Sequence, residues 1–321
     1  MPDWNEDRVH RWLARSGRPA GVVGSAMHDA AALRALGGAL PVVCVDQCIE
    51  GVHFDPGERP ALIGRKAVHR ALSDLAATAA APVAVLLALR AAPTEPEARI
   101  QALVRAARLA AQACGAALVG GDLAAAPGPL GLTVTAIGRF DGRRPPGRDR
   151  ARPGQLVVLT GPVGGSRAGR HLRFQPRLAL GAALAAAGAT ALMDVSDGLA
   201  WDLYRLARAS GVELELDLEA VPVHRDALRA AAGDHDSALQ HALHDGEDHE
   251  LLATLSARAA RALCAGFRAS DAARRSNSRG ARPTIIGRVA RVAQSGGGLW
   301  LVSQGRRAPW QPGSGGWNHG S

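Results

Sequence analysis

Helical and strand-like segments alternate along most of this chain, and one stretch rich in proline, glycine and arginine interrupts them. Residues 41–46, 83–89 and 130–139 are short apolar runs typical of strands, and Ala- and Leu-rich helical segments separate them. Such alternation predicts layered α/β (α+β) domains. The interruption, residues 141–154, has almost no apolar residue and marks the best domain boundary. We therefore predict domains at 1–147 and 148–311 and a tail at 312–321.

Composition limits the kind of core and the kind of partner. The chain has 321 residues, 47% of them apolar but only 3% aromatic, so a large core must consist of Ala, Leu and Val. Its 38 basic and 29 acidic residues give a net charge of +9. The arginines are scattered and not interleaved with aromatic residues, which favours a nucleotide phosphate over DNA or RNA as the ligand. Nucleic-acid binding would rest on the net charge alone.

The cysteines and the amino terminus bear on the compartment. None of the four cysteines forms a CxxC pair, which favours reduced thiols. The first twelve residues are charged and lack an apolar signal core, and the longest apolar stretch, 82–89, is far too short to span a bilayer. We expect a cytoplasmic protein without a membrane partner.

Six short acidic segments recur along this otherwise basic chain. Their aspartates mostly follow apolar runs or stand beside glycine, where aspartate is a poor strand former. Repetition of this pattern predicts carboxylates gathered around hard cations, and such cations usually serve phosphate chemistry. The segments are MHDAAAL (27–33), VDQCIEGVHF (45–54), LSDLAA (72–77), LVGGDL (118–123), MDVSDGL (193–199) and DGEDHE (245–250).

Each segment alone also has a structural interpretation. Asp46 could be a turn residue with a surface histidine, His53, nearby, and Asp74 could lie on a solvated helix face. The Gly-Gly-Asp sequence ending at Asp122 could be a tight turn after a strand. Asp197 could be a helix N-cap, although this leaves Asp194 unexplained. Residues 246–248 could be a solvated loop, and the Gly-rich segment 161–166 lacks the ending of a P-loop.

Taken together, the segments resemble the thiamine-monophosphate kinase family, of the superfamily that includes aminoimidazole ribonucleotide synthetase. The likeness runs from HDAAAL at His28 through DQCIEGVHF, GRKAVHRALSDLAA, LVGGD, ARPGQLVVLTG, DVSDGLAWDL and GEDHELL to GWNH at 316–319. The resemblance implies a two-domain fold whose N-terminal domain pairs into a dimeric β-barrel. It also implies ATP- and Mg²⁺-dependent phosphorylation of thiamine monophosphate to thiamine diphosphate, with several Mg²⁺ ions and no covalent intermediate.

The resemblance also implies roles for particular residues. Magnesium positions fall on Asp29, Asp46, Asp74, Asp122, Asp194 and Asp197. ATP contacts fall on Gly121, Asp122, Arg148 and Ser196. Contacts with thiamine monophosphate fall on His53, Glu247, Asp248 and Trp317.

The chain departs from the family pattern at several positions. They are His28 in place of an acidic residue, Cys44 and Val45 in place of hydroxyl residues, Ala71 for Asn, Leu123 for Thr and His249 for Tyr. A magnesium site can replace a missing side-chain oxygen with water. Two alternatives therefore stay open, a paralogue with another phosphate-bearing substrate and a nucleotide-binding protein without turnover.

Overall fold

The computed structural model describes residues 39–269, 283–294 and 296–313, together with two short strands, β1 (Val22–Val23) and β2 (Ala31–Leu33). The chain forms two mixed α/β units, each with its own sheet. Residues 141–155 connect them without a helix or strand, where the Pro-, Gly- and Arg-rich boundary is predicted. Neither sheet closes into a barrel within the described part of this single chain.

The first unit is a six-stranded sheet with two helices packed on one face. Its other strands are β3 (Leu40–Ile49), β4 (Ala81–Ala91), β5 (Ala117–Ala125) and β6 (Gly131–Phe140), and its helices are α1 (Pro60–Ala77) and α2 (Glu97–Ala113). The strand order is β1-β2-β3-β6-β4-β5, with only β4 and β5 parallel. Buried Val42, Cys44 and Cys48 alternate with more exposed residues along β3, as expected for a strand with one covered face.

Strand β5 differs from the prediction. The sequence predicts a strand over 116–119 that runs into Gly-Gly-Asp, with a tight turn as one interpretation, but the strand continues to Ala125 beside β4. The register of the pairing between β4 and β5 shifts at Val85 and Leu86. Position 121, just after this shift, requires glycine, because a Cβ there would lie 1.8 Å from the Leu87 carbonyl oxygen. Asp122 therefore lies within an edge strand and not at a strand end.

The second unit is a seven-stranded sheet. Its strands are β7 (Leu156–Leu159), β8 (Ala191–Asp194), β9 (Val212–Asp217), β10 (Leu251–Leu255), β11 (Thr284–Val292), β12 (Gly298–Ser303) and β13 (Arg306–Pro309). Its helices are α3 (Leu178–Ala186), α4 (Leu199–Ser210), α5 (Arg225–Ala230), α6 (His235–His244) and α7 (Ala257–Ala269). The strand order is β13-β12-β9-β11-β7-β10-β8. Every residue of β8 and β10 is buried, which explains their short, continuous apolar sequences.

Helix α1 joins the two units. Pro60 at its first turn suits a helix start, because proline supplies the required φ and the missing N–H has no partner there anyway. Most of the helix is buried against the first sheet and α2, whereas Ala76 and Ala77 at its end belong to a core cluster with Leu180 and Leu184 of α3. The packing of α1 thus fixes how the two sheets are placed.

Some predicted segments lie outside the described residues. The sequence also predicts a short helix at 8–14 and an Arg-rich loop at 270–282, and both lie in this undescribed part, as does the end of the tail from 314 onward. None of the described helices is long and apolar enough to cross a membrane.

The close crossing of α1 and α3 gives a test of the packing between units. A Cβ on Gly181 would lie 2.2 Å from the backbone oxygen of Ala76. We expect Gly181→Ala to lower the free energy of unfolding by about 1–3 kcal/mol through overpacking, despite alanine's better helix propensity. Denaturant unfolding measures this, with Ala182→Ser on the exposed face of α3 as control. An unchanged denaturant midpoint for Gly181→Ala would mean that α1 and α3 can move apart without cost.

Candidate active site

A cavity of about 200 Å³ lies where α1, the end of β3, the turn after β8 and the segment before β10 meet. Residues from both units line it, so the cavity depends on how the units pack. It brings together seven of the residues predicted from the sequence, which are Asp46, His53, Asp74, Asp194, Ser196, Asp197 and Glu247. Four of them are aspartates, so the cavity is strongly acidic.

The turn between β8 and α4 delivers three of these side chains. Asp194 ends β8, and the helix begins at Leu199. The carboxylate of Asp202 accepts hydrogen bonds from the backbone N–H groups of Ser196 and Asp197, at 2.9 and 3.0 Å. Burial, and then the charge of Asp197, raise the pKa of Asp202 well above its ordinary value. Asp202 thus fixes the turn, and Asp197 is not the N-cap of α4, which is Gly198.

Asp194 is buried at the junction of the two units. Its Oδ2 accepts a hydrogen bond from Ser73 Oγ of α1 at 2.7 Å and lies 3.2 Å from His249 Nδ1. Ser73 directly precedes Asp74, so this contact places the Asp74 carboxylate at the cavity beside the turn after β8. Asp197 has a different partner, the guanidinium of Arg205 on α4.

The segment 245–250 runs beside the turn after β8 and is held there by its backbone. The N–H groups of Glu247 and His249 donate to the carbonyl oxygens of Ser196 and Val195, at 2.7 and 2.8 Å. Both Glu247 and His249 have φ of +51°, a left-handed conformation that non-glycine residues rarely adopt. Backbone strain of this kind persists only where surrounding contacts enforce it, and it is typical of functional sites.

Glu247 is surrounded by basic groups. Its Oε1 lies 2.8 Å from both Lys66 Nζ and Arg70 Nη1, and its Oε2 lies 3.3 Å from His171 Nδ1. Burial would raise the pKa of Glu247, but the hydrogen bond with His171 and the charges of Lys66 and Arg70 outweigh it and hold the pKa well below its ordinary value. Lys66 is fully buried and also donates to the His53 carbonyl oxygen.

His53 is held as a neutral imidazole. The backbone N–H of Ile49 donates to His53 Nδ1 at 3.0 Å, so Nδ1 is an acceptor and the proton is on Nε2. Burial, and then the charge of Arg70, lower the pKa of His53 to about 3. His53 therefore adds no positive charge to the cavity near neutral pH.

Several predicted residues lie elsewhere. Asp122, with Gly121 preceding it in β5, lines a separate depression on the outer face of the first sheet, beside Gln47 and Thr133. Arg148 lies in the connecting segment, where its carbonyl oxygen accepts from Ser210 Oγ at 2.9 Å.

One further predicted residue, Asp248, also points away from the cavity lining. The Asp248 carboxylate turns to the Gly-rich segment, accepting from Gly164 N and Arg170 Nη2 at 2.9 and 2.6 Å. Asp29 and Trp317 lie outside the described residues.

Sequence reasoning missed Arg70 and Asp202, although both had a signal. Arg70 stands four residues after Lys66 and four before Asp74, so the three share one helix face. Asp202 follows the DVSDG turn inside the next helix, where a buried aspartate serves to bind exposed backbone N–H groups. The pairing of Arg205 with Asp197 depended on helix placement and had no such signal.

The cavity lining fits Mg²⁺ by its chemistry, because carboxylate oxygens are the ligands this ion prefers. Among the described residues no three His, Cys, Asp or Glu side chains converge on one point. Mg²⁺ commonly takes only one or two carboxylates and completes its shell with water and substrate phosphates, so spread-out carboxylates suit it. The buried His249 Nε2 also has no hydrogen-bond partner among the described residues, leaving a polar group in the lining for a ligand to satisfy.

Comparison with known proteins agrees with this architecture. Residues 27–140 match the family described as AIR synthase related protein, N-terminal domain. Thiamine-monophosphate kinase of Rhodopirellula baltica is 40% identical over 214 residues, which cover 66% of this chain and 67% of that protein. Thiamine-monophosphate kinase from Stenotrophomonas maltophilia has a solved structure that is 31% identical with a TM-score of 0.72, covering 92% of this chain and 96% of the other. A structure of AaThiL complexed with AMPPCP and TMP is 25% identical with a TM-score of 0.80, covering 98% and 97%.

The match over residues 27–140, which include the strands and helices of the first unit from β2 onward, places this unit in the AIR synthase related class. Within that class, the identity and coverage of the relatives are decisive. The chain belongs to the thiamine-monophosphate kinase family.

His69, a histidine beside the cavity, gives a pH-dependent test of the packing next to the cavity lining. His69 Nδ1 lies 2.8 Å from the Phe174 carbonyl oxygen, and Phe174 stacks on His249 with centroids 4.0 Å apart. Burial lowers the pKa of His69 from 6.5 to about 4, although the hydrogen bond to Phe174 acts in the opposite direction. As pH falls the unfolded chain binds the proton first, so this contribution to stability is complete above about pH 6.5 and is lost toward pH 4.

We expect the wild-type free energy of unfolding to lose about 2 kcal/mol from His69 between roughly pH 7 and pH 5. His69→Gln should flatten this part of the profile, whereas His235→Gln, on the exposed surface of α6, controls for replacing a histidine elsewhere. Denaturant unfolding at the two pH values measures the difference. Equal slopes for wild type and His69→Gln would show that His69 becomes protonated without cost in the folded chain.

Proposed function

We propose that this chain transfers the γ-phosphoryl group of ATP to thiamine monophosphate in the presence of Mg²⁺ and forms thiamine diphosphate. One observation carries the proposal, which is that a member of the thiamine-monophosphate kinase family has aspartates from both units around a single cavity. Phosphoryl transfer needs positioning and charge stabilisation more than covalent chemistry, and this lining supplies ligands for cations.

In this proposal, some residues of the cavity bind Mg²⁺ and others position those ligands. Asp74, Asp194 and Asp197 would hold Mg²⁺, which, when bound, neutralises phosphate charge. Ser73 holds the Asp194 carboxylate in place, and Asp202 holds the backbone of the turn that carries Asp197. Because an acceptor phosphate and a γ-phosphate repel each other, bringing them into line is the main task of such a site.

The remaining site residues keep the roles that the resemblance implies. Asp29, Asp46 and Asp122 complete the proposed Mg²⁺ ligands. Gly121, Asp122, Arg148 and Ser196 are proposed for ATP, and His53, Glu247, Asp248 and Trp317 for thiamine monophosphate. Domains at 1–147 and 148–311, a tail at 312–321 and a cytoplasmic location remain part of this proposal, the last supported by four free cysteines.

We also propose that two copies pair through the outer face of the first sheet, forming the dimeric barrel. Large apolar side chains are exposed on the outer face of this sheet, among them Val45 and Val119 at 61–62% and Leu86 at 36%. An exposed apolar patch on a sheet is typical of an interaction surface. Asp122 lies on the same outer face of β5, opposite Ala88, so pairing would enclose the depression that it lines.

Purified protein with ATP, Mg²⁺ and thiamine monophosphate should form thiamine diphosphate, measured by chromatography. Asp74→Asn keeps the side-chain shape and removes a charge of the cavity, so we expect kcat to fall by about 100-fold or more. Asp141→Asn, at an exposed position in the connecting segment, is the matched control and should keep wild-type kcat.

The outcomes separate the alternatives. Magnesium-dependent ATP binding without thiamine diphosphate would indicate a paralogue with a different acceptor or a protein without turnover. Activity of Asp74→Asn equal to that of Asp141→Asn would remove the cavity from the mechanism.

The dimer has its own test. Val119→Glu places a charge on the outer face of β5 and should shift the molecular mass measured by light scattering from that of two chains to that of one. Leu109→Glu changes an equally apolar, exposed residue of α2, on the other side of the sheet, and should leave the mass unchanged. A wild-type chain that is monomeric at micromolar concentration would contradict the proposed pairing.

A further inference from the structure

Arg70 occupies an unusual position for an arginine, inside an acidic cavity and between carboxylates of the two units. Its side chain is only 13% exposed. Its Nε and Nη2 donate to Asp46 Oδ2 and Oδ1, at 2.9 and 3.1 Å, and its Nη1 donates to Glu247 Oε1 at 2.8 Å. Three nitrogens of the Arg70 guanidinium are therefore bound to two carboxylates, one from each unit.

The two-point contact with Asp46 uses both oxygens of that carboxylate. Bidentate guanidinium–carboxylate pairs are among the strongest and most directional ion pairs in proteins. Asp46 Oδ1 also accepts from the Gln47 N–H at 2.7 Å. Three of the roughly four lone-pair sites of the Asp46 carboxylate are thus occupied, so a divalent cation at Asp46 would have to bind beside the like-charged Arg70 guanidinium or displace it.

The strand around Asp46 offers such a cation no further side-chain ligand on the residues just before it. The Cys44 thiol is buried and donates to the Ala71 carbonyl oxygen at 3.1 Å. Val45 is apolar and exposed on the outer face of the sheet. A hard cation prefers several oxygen ligands, and here the strand supplies one carboxylate that already has a cation bound.

We propose that Arg70 is a resident cation of the site and takes the place of one divalent ion at Asp46. Its guanidinium neutralises Asp46 and Glu247 together and keeps a metal ion from binding between them. The assignment rests on the proposed metal-dependent function and narrows its ligand set, since Asp46 then serves the site through Arg70 and the divalent ions bind at the other aspartates.

Counting metal ions tests this directly. Mn²⁺ alone, without nucleotide, can be titrated into the full chain and counted by electron paramagnetic resonance. Arg70→Met should bind about one more Mn²⁺ ion per chain than wild type, because the freed Asp46 carboxylate, with Glu247 beside it, attracts a hard cation. The double variant Arg70→Met/Asp46→Asn should lose that added ion. Arg65→Met is the matched control, because Arg65 on the same helix donates to the backbone oxygens of Arg173 and Phe174.

If Arg70 only linked the two units structurally, the result would be different. Loss of Arg70 removes the cation bound to Asp46 and one of the two bound to Glu247, so Arg70→Met should have a lower Tm in metal-free buffer. Mn²⁺ should raise the Tm of Arg70→Met most of the way back if the ion replaces the guanidinium. If Arg70 only linked the two units, Mn²⁺ would not raise the Tm of the variant. An unchanged Mn²⁺ count in Arg70→Met would overturn the proposal.

A second variant keeps the test decisive if Arg70→Met does not fold. Asp46→Asn in the wild-type background should leave the Mn²⁺ count unchanged, because Arg70 already occupies that carboxylate. A count lower by one ion would show that Asp46 binds metal directly and would refute the assignment. These titrations need no substrate, so failure here and failure of the thiamine monophosphate assay are separate results.

Discussion

The buried hydrogen bond from Ser73 to Asp194 is the contact on which the cavity depends. Ser73 belongs to α1, which is packed in the first unit, and Asp194 ends a strand of the second. A buried carboxylate must have donors, and Asp194 has Ser73 and His249 within hydrogen-bond distance. The position of α1 is thereby set against β8, and Asp74 meets Asp197 and Glu247 as a result.

The same site concentrates several unfavourable features. Aspartates of like charge face one cavity, and Glu247 and His249 have left-handed backbones. Like charges raise one another's pKa and oppose folding unless cations or donors compensate. Lys66 and Arg70 compensate on one side and Arg205 on the other, so the folded chain tolerates the cluster before any ligand binds.

How much of this could be predicted depended on the kind of residue. The acidic segments at Asp46, Asp74, Asp194, Asp197 and Glu247 were recognisable, because carboxylates after apolar runs serve neither core nor strand, and they do meet at one cavity. Asp122 differed because a glycine can continue a strand as well as end it, and only the partner strand β4 decides which occurs.

The direction of individual side chains was also beyond the sequence. Glu247 faces the cavity and its neighbour Asp248 faces Gly164, yet the letters GED do not distinguish them. The left-handed φ of Glu247 that produces this alternation depends on hydrogen bonds with the turn after β8. The role of Arg70 was hidden for a similar reason, since an arginine on a helix is usually solvated and its carboxylate partners here lie 24 and 177 residues away.

The burial of Lys66 has a practical consequence. It is the only lysine in the sequence, and its side chain has no exposed surface in the folded chain. An amine-reactive reagent therefore reaches Lys66 only when the groups packed on it, among them His53 and Glu247, move away from α1. The extent of modification at Lys66 would measure how often the packing around α1 opens.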